Sequence, residues 1–186
     1  MRELGPTLLI LARQAIASRL GRSGPTLPAA DAAQPALNEP AATFVTLTQH
    51  GDLRGCIGSL EAWRPLRKDV QENAVAAAFR DPRFRPLTAD ELGMTRVEVS
   101  LLSVPQAMSF VSEAEALGQL RPDIDGLILT AGTHRSTFLP QVWEQLPEPK
   151  DFLAHLKQKA GLPASYWGDD VRLERYGVEK WKEAAP

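Results

Sequence analysis

"ATFVTLTQHGDLRGCIGSL", residues 42–60, is the stretch on which the reading of this chain turns. "FVTLT" is rich in β-branched residues, "HGD" supplies a turn, and "LRGCIGSL" runs back, so the stretch reads as a β-hairpin. Its return strand is irregular in composition. Gly55 and Gly58 bracket Cys56, the sole cysteine of the chain. A glycine inside a strand has no side chain to pack and marks a bulge or a close backbone approach.

The segments on either side complete the pattern. "RPLRKDVQENAVAAAFRDP" (64–82) reads as a helix, with Pro65 at its first position and Asp81-Pro82 as its stop. Leu66, Val70, Asn73 and Ala77 share one face, which sets a polar Asn73 on an otherwise apolar stripe. Upstream, Pro6 and Gly21 bound a helix whose apolar face holds Leu9, Ala12, Ile16 and Leu20. The Pro/Ala/Gly-rich residues 21–40 read as a surface loop or linker. Downstream, "TADE" (88–91) is a capping box for a short helix closed by Gly93. "RVEVSLLS" (96–103) alternates as a strand, with Val97, Val99 and Leu101 on one face and Glu98 and Ser100 on the other. "SEAE" (112–115) caps another helix. "DGLILTAGTHRSTFLPQVW" (125–143) predicts a second hairpin followed by a helix near Pro140. "KDFLAHLKQKAGL" (150–162) predicts a helix with Phe152, Leu153 and Leu156 inward, and "VRLERY" (171–176) a last strand. Hairpins and helices without regular β-α-β alternation point to an α+β fold with a mainly antiparallel sheet. The two hairpin-then-helix units, near 43–80 and 126–160, read as a degenerate repeat.

Composition bounds the function classes. The chain has 186 residues, 44% hydrophobic and 24% charged, which is the profile of a globular domain. Its 21 basic and 23 acidic residues leave a net charge of -2, so no global positive field attracts nucleic acid or an anionic membrane. One cysteine rules out an internal disulfide and points to a reducing, cytoplasmic compartment. With only three histidines beside it, a multi-cysteine zinc site is excluded. The longest apolar run near the start, "LLILA", is too short for a membrane span or a signal-peptide core. No GxGxxG, P-loop, HExxH or GxSxG motif supports a nucleotide cofactor or a metal, and no cofactor is expected.

Chemistry centres on Cys56. A catalytic thiol must ionise, and neighbouring cations or amide donors favour the thiolate. Arg54 offers charge, on the same face as Cys56 only if the strand is regular, and amides at Gly55 and Gly58 offer an oxyanion site. The competing reading is a small buried hydrophobe in a tight turn. His134, in a turn, is the best base of the three histidines; His50 sits in the hairpin turn and His155 on a helix surface. "FRDPRFRPL" gathers Arg80, Asp81, Arg83 and Arg85. It reads either as a bidentate clamp for a phosphate or carboxylate, or as an Asp81–Arg83 pair that fixes the turn. The same arginines would serve a nucleic-acid binder, the reading that net charge favours least. Glu98 faces solvent or, if its face turns toward Cys56, a site.

In order along the chain stand "FVTL", "LRGCIGS", "NAVAAAFRDPRF", "EVSLLS", "DGLIL", "RSTFLPQVWEQLP" and "FLAHLKQKAGL". Together they resemble the AMMECR-type domain family, whose bacterial form is protein A of the AmmeMemoRadiSam system. The resemblance covers about residues 43–176, leaving most of the N-terminal 40 residues outside the recognisable pattern. It implies a cytoplasmic α+β domain with a larger lobe, a smaller lobe and a cleft between them. It further implies association with a radical SAM enzyme and a Memo-like protein, and an enzymatic role for the LRGCIG motif. Arg54, Gly55, Cys56, Gly58, Asn73, Asp81, Arg83, Glu98 and Gln141 match the family's motif positions, and Ser59 replaces the motif's threonine with its hydroxyl kept. The expected site therefore has Cys56, Glu98 and His134 as catalytic residues. Arg54, Gly55, Gly58, Asn73, Asp81 and Arg83 are the expected substrate contacts. The rival expectation is a non-catalytic docking protein in which LRGCIG is a structural turn.

Overall fold

The hairpin forms where the sequence places it, as β1 (Ala42–Gln49) and β2 (Asp52–Gly58). The structure, a computed structural model, describes residues 4–184. Gln49 pairs with Asp52, so the connection is the two-residue loop His50-Gly51. Both have positive φ, 51° and 93°, the backbone that matches a tight turn to the strand twist. The register slips between Leu47 and Thr48, whose partners are Gly55 and Leu53, so Arg54 is an extra residue in β2. That is the bulge its glycines announced.

Chain contacts divide the protein into two units. One takes the chain up to Leu102 together with the stretch from Glu179 onward; the other is Ser103–Val178. In the first, β3 (Thr95–Leu102) pairs with β1, and β8 (Val178–Lys182) closes the sheet in the order β2-β1-β3-β8. Two helices, α1 (Leu4–Arg19) and α3 (Leu66–Phe79), pack on one face of that sheet. Their Leu8, Leu11, Ile16, Leu66 and Val70 bury against Val45, Leu47, Val97 and Val99. Gly55 is required here: a Cβ on it would stand 2.1 Å from the Ala77 carbonyl oxygen of α3. Strand and helix touch backbone to backbone at that point.

The second unit builds its own sheet, β4-β7-β5-β6, from Gln106–Ala107, Arg172–Tyr176, Gly126–Ala131 and His134–Phe138. Helices α4 (Glu113–Gln119) and α5 (Pro149–Lys159) complete it. Its core stacks Trp143 on Phe152 at 3.8 Å, with the Phe138 ring edge-on to Phe152. The architecture is α+β with antiparallel pairing throughout the registers, as the alternation of hairpins and helices implied.

Three elements differ from the sequence reading. Residues 21–40 are more than a loop: they hold a short helix, α2 (Ala29–Ala32), and a 3-10 turn (Pro35–Asn38) whose Leu37 is fully buried in the first core. The expected helix near Pro140 is a single 3-10 stretch, Pro140–Glu144, and α-helix starts only at Pro149. "VRLERY" is not the last strand, because β8 comes after it. Strand β8 is held from outside itself: just past it, Glu183 accepts from Arg13 Nε at 2.5 Å and from Val97 N at 2.8 Å. No periodicity within five residues reports such partners.

Leu37→Ala tests whether the 21–40 segment belongs to the core. It is expected to lower unfolding free energy by about 3 kcal/mol in urea titration, the cost of a buried leucine's lost contacts and cavity; a linker residue would cost almost nothing.

Candidate functional site

The bulge decides what Cys56 sees. Arg54 and Gly55 together oppose Leu47, on the face covered by α3. Cys56 therefore turns to the opposite face, and Arg54 does not share it. Arg54 is buried, and its Nε and Nη2 hold Glu91 Oε1 and Oε2 at 3.1 and 3.3 Å. Its Nη1 is buried without a hydrogen-bond partner among the described residues. Glu91 is itself the end of the TADE capping box, which is formed. The Arg54 guanidinium, then the Thr88 amide and hydroxyl, hold the Glu91 carboxyl down at about 2 against the burial that opposes them.

Cys56 is half-buried. Its thiol has a hydrogen-bond partner that the motifs did not flag: Thr46 Oγ1, which donates to Sγ across 3.3 Å. Thr46 pairs directly with Cys56 on one side and with Glu98 on the other. The three side chains thus form a row across the sheet on the face away from α3. Strands lie about 4.8 Å apart, so Glu98 is about 10 Å of backbone from Cys56. Its Oε2 lies 3.9 Å from Lys182 Nζ, which extends the row to β8. Phe44 also stands on this face, its ring packed against the bare Gly58 backbone.

The outer edge of β2 is closed by side chains. Asp81 Oδ2 accepts the Cys56 N–H at 2.9 Å, and Arg83 Nη2 donates to the Cys56 carbonyl at 3.3 Å. Arg83 also grips Asp81 twice, Nε to Oδ1 at 3.0 Å and Nη2 to Oδ2 at 2.7 Å. The hydrogen bonds from Arg83 hold the buried Asp81 carboxyl far below the ordinary carboxylate range, and Asp81 in turn raises the guanidinium. Of the two readings of "FRDPRF", the Asp81–Arg83 pair is therefore formed. It clamps the strand as well as the turn. The Cys56 amide, which lies between the Gly55 and Gly58 amides expected to offer an oxyanion site, is occupied by Asp81.

Asn73 belongs to a buried network. The fully buried Asp69 carboxylate accepts from Thr43 N at 2.8 Å, Thr43 Oγ1 at 2.6 Å, Ser59 Oγ at 2.7 Å and Arg64 Nε at 2.7 Å. Asn73 donates to the Thr43 carbonyl at 2.9 Å and accepts from Arg64 Nη2 at 3.1 Å. The polar residue on the apolar stripe thus ties α3 to β1 and to the end of β2.

The remaining candidates have other surroundings within their own elements. His134 opens β6 in the second unit, exposed, with Nδ1 2.8 Å from the Ala160 carbonyl. A carbonyl only accepts, so Nδ1 is the donor in this bond. His50 is the turn residue with positive φ, and His155 Nδ1 sits 2.9 Å from Asp151 O within α5. Gln141 is exposed on its 3-10 turn. Arg80 lines a groove of about 500 Å³ with Gln14, Lys68 and Glu72, which holds none of the Cys56 neighbours. Among the described residues no three His, Cys, Asp or Glu side chains stand together as a metal site. No described helix is long and apolar enough to cross a membrane.

Fold and site define an α+β protein with a lone thiol on a clamped, bulged edge strand. The chain belongs to the AMMECR1 family, whose model matches residues 9–181 and so takes in most of the first helix and most of the last strand. It is 38% identical over 153 residues to Protein MJ0810 of Methanocaldococcus jannaschii, covering 80% of this chain and 76% of that protein. A protein of Methanothermobacter thermautotrophicus is 36% identical over 184 residues, 98% of this chain and 95% of its own length. The crystal structure of the uncharacterized protein PH0010 from Pyrococcus horikoshii superposes with a TM-score of 0.81 at 32% identity, over 100% of this chain and 94% of that one.

The Glu91 ion pair has a pH signature. A carboxyl lowered on folding contributes stability that is present above its unfolded value, near 4.3, and lost as pH falls toward about 2. Chemical unfolding at pH values from 6 down to 2 is expected to show a smaller loss of stability for Glu91→Gln than for the wild type.

Proposed function

We propose that this AMMECR1-family chain is an enzyme, or the substrate-carrying component of one, in which the Cys56 thiolate is the nucleophile or covalent carrier. It acts with a radical SAM enzyme and a Memo-like protein, the partners that the resemblance of its motifs implies. The observation that carries the reading is the placement of Sγ: half-exposed, off the helix-packed face, with a hydroxyl donating to it. A hydroxyl so placed supplies a hydrogen-bond donor to the sulfur. Glu98 faces the same side of the sheet and is the group proposed to take up or return a proton on a substrate lying along the row. Cys56, Thr46 and Glu98 all belong to the first unit, and His134 belongs to the second.

A docking role is the second reading, and one observation favours it. Asn73 and Asp81, expected to meet substrate, have their polar groups engaged inside the protein, and Arg54 has Nε and Nη2 held by Glu91, with Nη1 alone left without a partner among the described residues. In this reading the LRGCIG stretch is scaffold, and the surface serves only to hold the partners.

Since Cys56 is the sole thiol, mass spectrometry reads its labelling without ambiguity. Iodoacetamide at neutral pH is expected to alkylate native Cys56 faster than the same cysteine in guanidinium-unfolded protein. Native labelling slower than unfolded by tenfold or more removes the nucleophile. In cells, Cys56→Ser is expected to abolish function while binding to the partners persists; retained function assigns the protein to docking.

A further inference from the structure

Asp81 and Arg83 do something at Cys56 that neither substrate binding nor a turn accounts for. Strand β2 is the edge of its sheet, so the N–H and C=O of Cys56 that point away from β1 have no strand to meet. Asp81 supplies the acceptor and Arg83 the donor that a neighbouring strand would have supplied, at 2.9 and 3.3 Å. The two are locked to each other, and the Arg83 backbone N–H adds a further bond to Asp81 Oδ1 at 3.1 Å. Asp81 is buried, whereas the Arg83 side chain is 54% exposed. One end of the device is therefore anchored and the other is open to solvent.

We infer that Asp81 and Arg83 are positioning residues for Cys56: together they replace the missing strand, hold the Cys56 peptide in one orientation, and balance the charge beside its thiol. The inference rests on the reading of Cys56 as a reactive thiol and adds how that thiol is tuned. Carboxylate and guanidinium both contact the Cys56 peptide, one at its N–H and one at its C=O, so their fields at the sulfur oppose each other. Removing the guanidinium leaves an uncompensated anion against the cysteine and disfavours the thiolate. Removing the carboxylate charge leaves a cation and favours it. Other charged groups on this face are Glu98 and Arg96 of β3 and Lys180 and Lys182 of β8: Glu98 lies 3.9 Å from Lys182, and Arg96 Nη2 donates to the Glu183 carbonyl; Arg54, turned to the opposite face, is held by Glu91. They stay constant in both variants.

The test is the pH profile of Cys56 alkylation in Arg83→Gln and Asp81→Asn, on the full chain. Asn keeps an oxygen to accept the Cys56 amide, and Arg83 lies on the surface, so both variants are expected to fold. Circular dichroism and a cooperative urea transition verify this for each. The midpoint is expected to move up in Arg83→Gln and down in Asp81→Asn, each by about half a pH unit or more for a unit charge a few ångströms away at the protein surface. Arg83→Lys, which keeps the charge, is expected to restore most of the midpoint. Shifts of the same sign in Gln and Asn variants, or none, overturn the inference, because a purely structural clamp loosens the strand in both. A wild-type thiol that does not react in the folded protein sinks the proposed function instead, which separates the two failures.

Discussion

An edge strand has to find partners for half of its backbone, and in this protein that requirement is met by two side chains at one residue. The Cys56 N–H and C=O meet Asp81 and Arg83 instead of another strand. Much else depends on this. The clamp holds the return strand of the hairpin in place although glycines give it little side-chain packing of its own. It closes an edge that would otherwise invite pairing with a second chain. It also ties the turn after α3 to the strand that α3 covers.

The bulge works together with the clamp. One extra residue reverses which face each side chain takes, since the period of a strand is two. Arg54 is sent to the helix side, where a buried guanidinium needs a partner and finds Glu91. Cys56 is sent to the other side, where a thiol meets a hydroxyl and a half-open surface. At the opposite end of the hairpin, the Asp69 carboxylate collects donors from β1, from the end of β2 and from the segment leading into α3. A buried carboxylate is tolerated because both of its oxygens are filled. The hairpin is thus fastened at its open end by Asp69 and along the middle of β2 by the Arg54–Glu91 pair, the backbone contact at Gly55 and the clamp at Cys56.

Much of the α+β architecture was legible because hairpins and amphipathic helices leave local signals. β-Branched runs, a His-Gly turn, capping boxes and Asp-Pro stops each depend on residues a few positions apart. The buried Leu37, the 3-10 stretch at Pro140 and strand β8 left no such signal. Leu37 is buried because a distant helix pair needs filling, and β8 is a strand because Arg13 and Val97 hold the residue that continues it. Within the site, Cys56 and the Asp81–Arg83 pair stood out by residue type. Thr46 did not, because a threonine in a β-branched run looks like any other until its cross-strand partner is known.

The amino-acid sequence by itself determined most of the elements, the antiparallel character of the hairpins, the family, and the solitary cysteine between glycines. Those properties come from local backbone preference and from residue chemistry. Only the tertiary structure decided that Arg54 and Cys56 part company, that Thr46 and Glu98 line up beside the thiol, and that Asp81 and Arg83 face the strand edge. Each of those depends on register, and register is set by how the whole sheet packs under its helices, a sum over contacts that no short stretch contains.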